Sequence, residues 1–88
     1  MVLNRKPLVF TKHAQDAIIE RELKRAWIEE AAYMPEWEDD DPRQVGILRR
    51  YRAIPQHGGR VLRVVCLETD DEIRILTAFF DRRAGRQP

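Results

Sequence analysis

Cysteine is nearly absent from this 88-residue chain: Cys66 stands alone, so no internal disulfide can form and a reducing compartment is the expectation. Lysine disappears after Lys24, and from Arg43 onward all ten basic residues are arginine, against five acids. Arginine matches phosphate geometry better than lysine does. No run approaches the ~20 apolar residues of a membrane helix. Met1 to Pro7 holds two basic residues but no apolar stretch of signal-peptide length. A cytoplasmic protein with no membrane partner is therefore expected. With four glycines in all, there is no Gly-rich loop to cradle a phosphate. Metal spacing is missing too. Gln44 and Arg50 stand where a calcium loop opening at Asp39 would need Gly and Glu, and Cys66 has no zinc-ligand neighbours. No metal and no cofactor are expected, and Cys66, in mid-strand, reads as a buried, inert thiol.

What is present suits one folded domain over residues 1–88, with a core over about 8–81 and a basic tail over 82–88. The apolar fraction is 43%, ordinary for a folded protein. A net charge of +1 hides an asymmetry, because Glu36, Glu38, Asp39, Asp40 and Asp41 crowd one six-residue stretch. The rest of the chain carries sixteen basic residues against ten acidic ones.

Pro7 to Phe10 reads as a short strand or extended entry. Thr11 is placed to cap a helix carrying Ala14, Ala17, Ile18 and Arg21 along one side. A second helix fits Lys24 to Tyr33, with Leu23, Trp27, Ile28, Ala31 and Met34 at helical spacing, and Pro35 ends it. Residues 35–43 read as an acidic loop. Residues 44–54, 60–68 and 72–80 then alternate with a period near two. Turn chemistry lies between them, at Pro55-Gln56-His57-Gly58-Gly59 and Thr69-Asp70-Asp71. Connections this short predict an antiparallel meander. The fold class is α+β: two N-terminal helices on one face of a three- to four-stranded antiparallel sheet.

Period two assigns faces. Val45, Ile47, Tyr51 and Ala53 are expected toward the helices, with Arg49 an intruder needing Asp81 or a helix carboxylate as partner. Leu62, Val64 and Cys66, then Ile73, Ile75 and Phe79, continue that core. The open face would carry Arg50, Arg52, Arg63 and Arg74, with Arg82 extending it. Like charges on neighbouring strands repel, so four guanidinium groups on one face suggest a polyanion partner. The competing reading is a solvated face, and a one-residue bulge would reassign part of it.

The string Phe10-Thr11-Lys12-His13-Ala14, with Arg21 eight residues after the histidine, resembles the entry helix of a bacterial family. That family is domain of unknown function 4258. Leu23, Pro35, Tyr51, Val64-Val65 and Ile75-Leu76-Thr77-Ala78-Phe79 continue the resemblance over roughly residues 8–81. The chain departs from it at Ala17, where members often have Arg, and at Glu22, where they often have Gly. The family looks related to RelE-type and BrnT-type ribonuclease toxins. That resemblance implies a RelE-like fold, RNA as partner, a small antitoxin-like protein as a second partner, and metal-independent endoribonuclease activity.

Such cleavage needs a base, an acid and positive charge on the phosphate. The candidate catalytic residues are His13, whose ordinary pKa is near 6.5, with Arg21 and Tyr51. Each also has a structural reading: a local contact for His13 and an inward, satisfied hydroxyl for Tyr51. Arg50, Arg52, Arg63, Arg74 and Arg82 are the candidate nucleic-acid contacts. The alternative is a non-catalytic module binding protein or nucleic acid through the same arginines. The acids of residues 36–41 would then shield that face. Trp27 reads as core, Trp37 as an anchor, and His57 as an exposed turn residue.

Overall fold

The computed structural model describes residues 5–84. After β1 (Leu8–Phe10), Thr11 turns the chain into α1 (Lys12–Glu20), its hydroxyl accepting the Ala14 N–H at 3.1 Å. The other end of α1 closes with paired reverse hydrogen bonds. Leu23 N–H donates to Ile18 O at 3.0 Å and Glu22 N–H to Ile19 O at 3.2 Å. This closure puts Glu22 at φ 54°, a left-handed conformation that favours glycine. The departure from the family pattern at position 22 thus falls where a side chain is strained, by about 1–2 kcal/mol.

Helix α2 (Arg25–Tyr33) buries Trp27, Ile28, Ala31 and Ala32, and stops before Pro35. Four strands follow: β2 (Trp37–Asp40), β3 (Leu48–Ile54), β4 (Arg60–Glu68) and β5 (Ile73–Phe80). The sheet order is β1-β5-β4-β3-β2. The architecture is α+β with a five-stranded mixed sheet, which corrects the expected three- to four-stranded antiparallel one. Two elements make the difference. The entry strand pairs with β5 in parallel, and the supposed acidic loop contains an edge strand antiparallel to β3. None of the described helices is long and apolar enough to cross a membrane.

Helix α1 lies along β5 where β1 has ended. Thr11 N–H donates to Ile75 O at 3.1 Å, and the Arg21 Nη1 donates to Ala78 O at 3.4 Å. An edge covered in this way is closed to further strand pairing. Between the helices and the sheet lie Ile28, Ile54, Leu62, Val64, Cys66 and Ile75, all fully buried.

The parity of β3 is the reverse of the expected one. Arg50 pairs with Val64, and Arg52 with Leu62, so both arginines share the helix-covered face with Leu48 and Ile54. Tyr51, Ala53 and Arg49 take the open face, and Val45, expected in the core, lies in a turn and is fully exposed. Strand β5 changes parity midway. Val65 pairs with Thr77 but Cys66 with Ile75, so Leu76 is an extra residue. Beyond this bulge Ala78 and Phe80 face the helices, and Phe79 faces out. The basic tail begins as a turn at Arg82–Arg83; residues 85–88 lie outside the described residues.

Candidate functional site

Strand register assembles a row across the open face. Trp37 pairs with Tyr51, Tyr51 with Arg63, and Arg63 with Phe79, one residue from each of β2, β3, β4 and β5. Directly opposed residues point the same way, so the four side chains stand side by side. The Trp37 and Tyr51 rings are stacked, with centroids 5.1 Å apart and planes 10° from parallel. The Arg63 guanidinium lies 5.3 Å from the Tyr51 ring centroid and 5.2 Å from that of Phe79. Arg21, at the end of α1, continues the row 6.0 Å from Phe79. From Tyr51 onward rings and guanidinium groups alternate, because each cation meets the electron-rich face of a ring.

The row packs closely enough to leave Tyr51 only 4% exposed. Burial raises the Tyr51 pKa, against the opposing pull of Arg63, so the hydroxyl keeps its proton at neutral pH. Beside the row, Arg49 and Asp39 form a two-pronged ion pair, Nε to Oδ1 at 2.7 Å and Nη2 to Oδ2 at 2.9 Å. That hydrogen-bonded carboxylate raises the Arg49 pKa. Arg63 is held differently. Only its Nη2 meets Asp81, through Oδ2, and its buried Nε has no partner among the described residues. A shallow cleft of about 210 Å³ opens here, lined by Trp37, Asp39, Tyr51, Arg63, Asp81 and Arg83. It offers carboxylate acceptors and guanidinium donors beside an aromatic wall.

The residues singled out in the sequence divide between several places. Tyr51, Arg63 and Arg21 come together in the row. His13 is exposed in the first turn of α1, and no hydrogen bond, ion pair or ring contact joins it to the row among the described residues. Arg74 is exposed on the open face, paired with Glu72 at 2.9 Å, and Arg82 lies in the turn after β5.

Arg50 and Arg52 belong to the other face, which corrects the expected placement of both. Arg50 donates from Nη1 to Ala32 O at 2.9 Å, from Nε to Glu38 at 2.8 Å, and from Nη2 to Glu68. Arg52 donates to Met34 O at 2.7 Å. Both therefore cap the carbonyl end of α2, where positive charge is favoured. Burial works against the Arg50 charge, yet the bonds to Glu68 and Glu38 leave its pKa raised. Lys6, then Arg50, hold the Glu68 carboxyl below the ordinary range.

The remaining expectations resolve individually. Arg49, expected to pair with Asp81 or a helix carboxylate, pairs instead with Asp39 of β2, and Asp81 serves Arg63. The acids of 36–41 fasten β2: Glu38 and Asp39 pair with Arg50 and Arg49, and Glu36 accepts the Ala53 N–H at 2.6 Å. Cys66 is fully buried and its thiol is pushed up to about 11. Trp27 is core. His57 is exposed yet stacks on Phe80 at 4.3 Å. Among the described residues, no group of three or more His, Cys, Asp or Glu side chains could hold a metal ion.

Sequence reasoning missed Phe79, Asp81 and the stacking role of Trp37. The available signal was the Trp-Glu-Asp-Asp stretch read as a strand, which would have set Trp37 beside Tyr51. A search of curated proteins returns no match. The family model described as Domain of unknown function (DUF4258) matches residues 10–80, from the end of β1 to the end of β5. With the entry helix, the Tyr51 strand and the bulged closing strand all inside that span, the chain belongs to the DUF4258 family.

Proposed function

We propose that this domain binds single-stranded RNA through its open face, with the row Trp37–Tyr51–Arg63–Phe79 as the contact surface. The row itself carries the reading, because aromatic rings interleaved with guanidinium groups suit a chain of bases and phosphates. Trp37 stands on the edge strand with one ring face against Tyr51, which leaves its other face as the platform for a base. The cleft beside it supplies donors and acceptors for a base edge, and Arg21 and Arg83 supply charge for the backbone.

Binding is favoured over cleavage by the chemistry of the groups in the row. Metal-independent cleavage, which a kinship with RelE-type and BrnT-type toxins would imply, needs a base near the 2′-hydroxyl. Tyr51, held protonated, is suited only to the acid role, and His13 stands apart from it.

The test is titration of the purified protein with a labelled single-stranded RNA over a salt series, in EDTA. Affinity should fall with salt on a log–log line, by about 0.7 per phosphate contacted. Trp37→Ala should weaken binding by about 10-fold or more, and the RNA should remain intact. Absence of binding at low salt overturns the proposal; cleavage in EDTA would replace it with the ribonuclease reading.

A further inference from the structure

The two ion pairs on the open face differ in a way that points to a phosphate site. In the Arg49–Asp39 pair both carboxylate oxygens face Nε and Nη2, so the guanidinium fork is filled. In the Arg63–Asp81 pair the carboxylate meets Nη2 alone, and Nε is buried without a partner among the described residues. A buried donor without an acceptor is unusual in a folded protein and destabilising. The second oxygen of Asp81 turns away from Arg63 to accept the Arg83 N–H at 2.8 Å. One carboxylate thus spans a guanidinium and a backbone N–H, with the Arg83 side chain lining the same cleft.

The geometry points to Arg63 as a phosphate-binding group held closed by Asp81, whose carboxylate takes the place of phosphate oxygens. The inference rests on the RNA-binding reading of this face and adds its regulation: the site opens when Asp81 yields. A phosphodiester of the RNA backbone presents two charged non-bridging oxygens, set further apart than those of a carboxylate and each able to accept more than one donor. It can engage Nε and Nη2 of Arg63 together, as Asp39 engages Arg49, and still reach the Arg83 N–H. Exchange leaves no orphaned donor, whereas the closed state leaves one. Displacement asks little of the fold. Asp81 lies just past the last strand, its N–H held by Val61 O, and rotation of its side chain moves the carboxylate without moving that bond. Arg63 meanwhile stays positioned between the Tyr51 and Phe79 rings.

The experiment compares labelled single-stranded RNA binding by the full chain and by Asp81→Asn, Asp40→Asn, and Asp81→Asn combined with Arg63→Gln. Asp81→Asn should bind about 5- to 10-fold more tightly, because the phosphate no longer has a like-charged carboxylate to displace, with the salt slope of the unmodified protein, since the same phosphates are contacted. Asp40→Asn removes the same charge from an exposed position on β2 and should change affinity less than 2-fold, by the weakness of exposed charges. The double variant should lose the gain. Should Asp81→Asn fail to fold, the Arg63 Nε–H resonance of the unmodified protein decides, since it should shift at RNA saturation while that of Arg49 stays. Binding by the unmodified protein with no gain in Asp81→Asn, or a still Arg63 Nε–H at saturation, overturns this inference alone. Absence of binding by every form overturns it together with the RNA-binding reading.

Discussion

Arg50 and Arg63 stand on adjacent strands of one sheet, one on each face, and both meet carboxylates. Their situations differ sharply. Arg50, 8% exposed, donates to two carboxylates and a helix-terminal carbonyl. It fastens β2, β3, β4 and α2 together at a single point. Arg63 makes one side-chain hydrogen bond, between two rings, and leaves a donor unused. A guanidinium under the helices must be saturated, because burial penalises any charge left unpaired. On the open face Arg63 keeps a buried Nε with no acceptor among the described residues, and that half-used fork is left for a ligand to complete. Arginine content alone therefore says little about a polyanion surface; the number of occupied donors says more.

The comparison breaks first at Arg50. Arg50→Met should lower unfolding stability by about 3 kcal/mol, since it removes the charge that joins Glu38 to Glu68, leaves Glu68 to Lys6 alone and strands the Ala32 carbonyl. A denaturant midpoint close to that of the unmodified protein would mean that the covered face tolerates unpaired charge after all. Next in size is an alkaline effect of the covered face. The Cys66 thiol titrates near 11 when folded and near 9 when unfolded. Between those values the unfolded chain has lost a proton that the folded one keeps, so stability falls as pH rises, by about 3 kcal/mol in full. Cys66→Ala should flatten that part of the profile. At the acidic end the sign is opposite. The depressed Glu68 carboxyl stabilises the fold above the ordinary carboxylate range, and that contribution is lost as pH falls through its folded pKa.

The open face should respond more weakly in stability. Trp37→Ala should cost about 1–2 kcal/mol, the scale of one half-buried ring pair. By uncovering Tyr51 it should also return the phenol toward its ordinary pKa, which a spectrophotometric tyrosine titration reads directly. Smallest of all is Arg74→Gln. Its pair with Glu72 is exposed, so the expected change is under about 0.5 kcal/mol in a thermal melt.

Much of the fold was legible because local signals carry it. Thr11 caps, Pro35 stops α2, and the 3.6-residue spacing of Leu23, Trp27, Ile28 and Ala31 marks the buried side of the helices. The site was less legible. In β3 both parities look amphipathic: Tyr51 and Ala53 on one side, Leu48 and Ile54 on the other, with arginines on each. Tyr51 seemed the obvious core residue, yet it is buried on the open face by Trp37 and Arg63 rather than by the helices. In β5 an alternation extended across Leu76 inverts everything after it, which is how Phe79 was taken for core. The acids of β2 read as a loop because nothing local says that Glu38 and Asp39 have Arg50 and Arg49 opposite them.

The two helices, the order of the three long strands and the family were set by the chain's own local chemistry, in which caps, prolines, turn residues and periodicity act within a few positions of each other. Which arginines lie open, and which hold a helix end, was decided only by the assembled sheet. Period two defines two faces without saying which one the helices will cover. That choice is made by contacts distant in sequence: the carbonyls of Ala32 and Met34 and the carboxylates of Glu38 and Glu68, which together make a buried arginine tolerable.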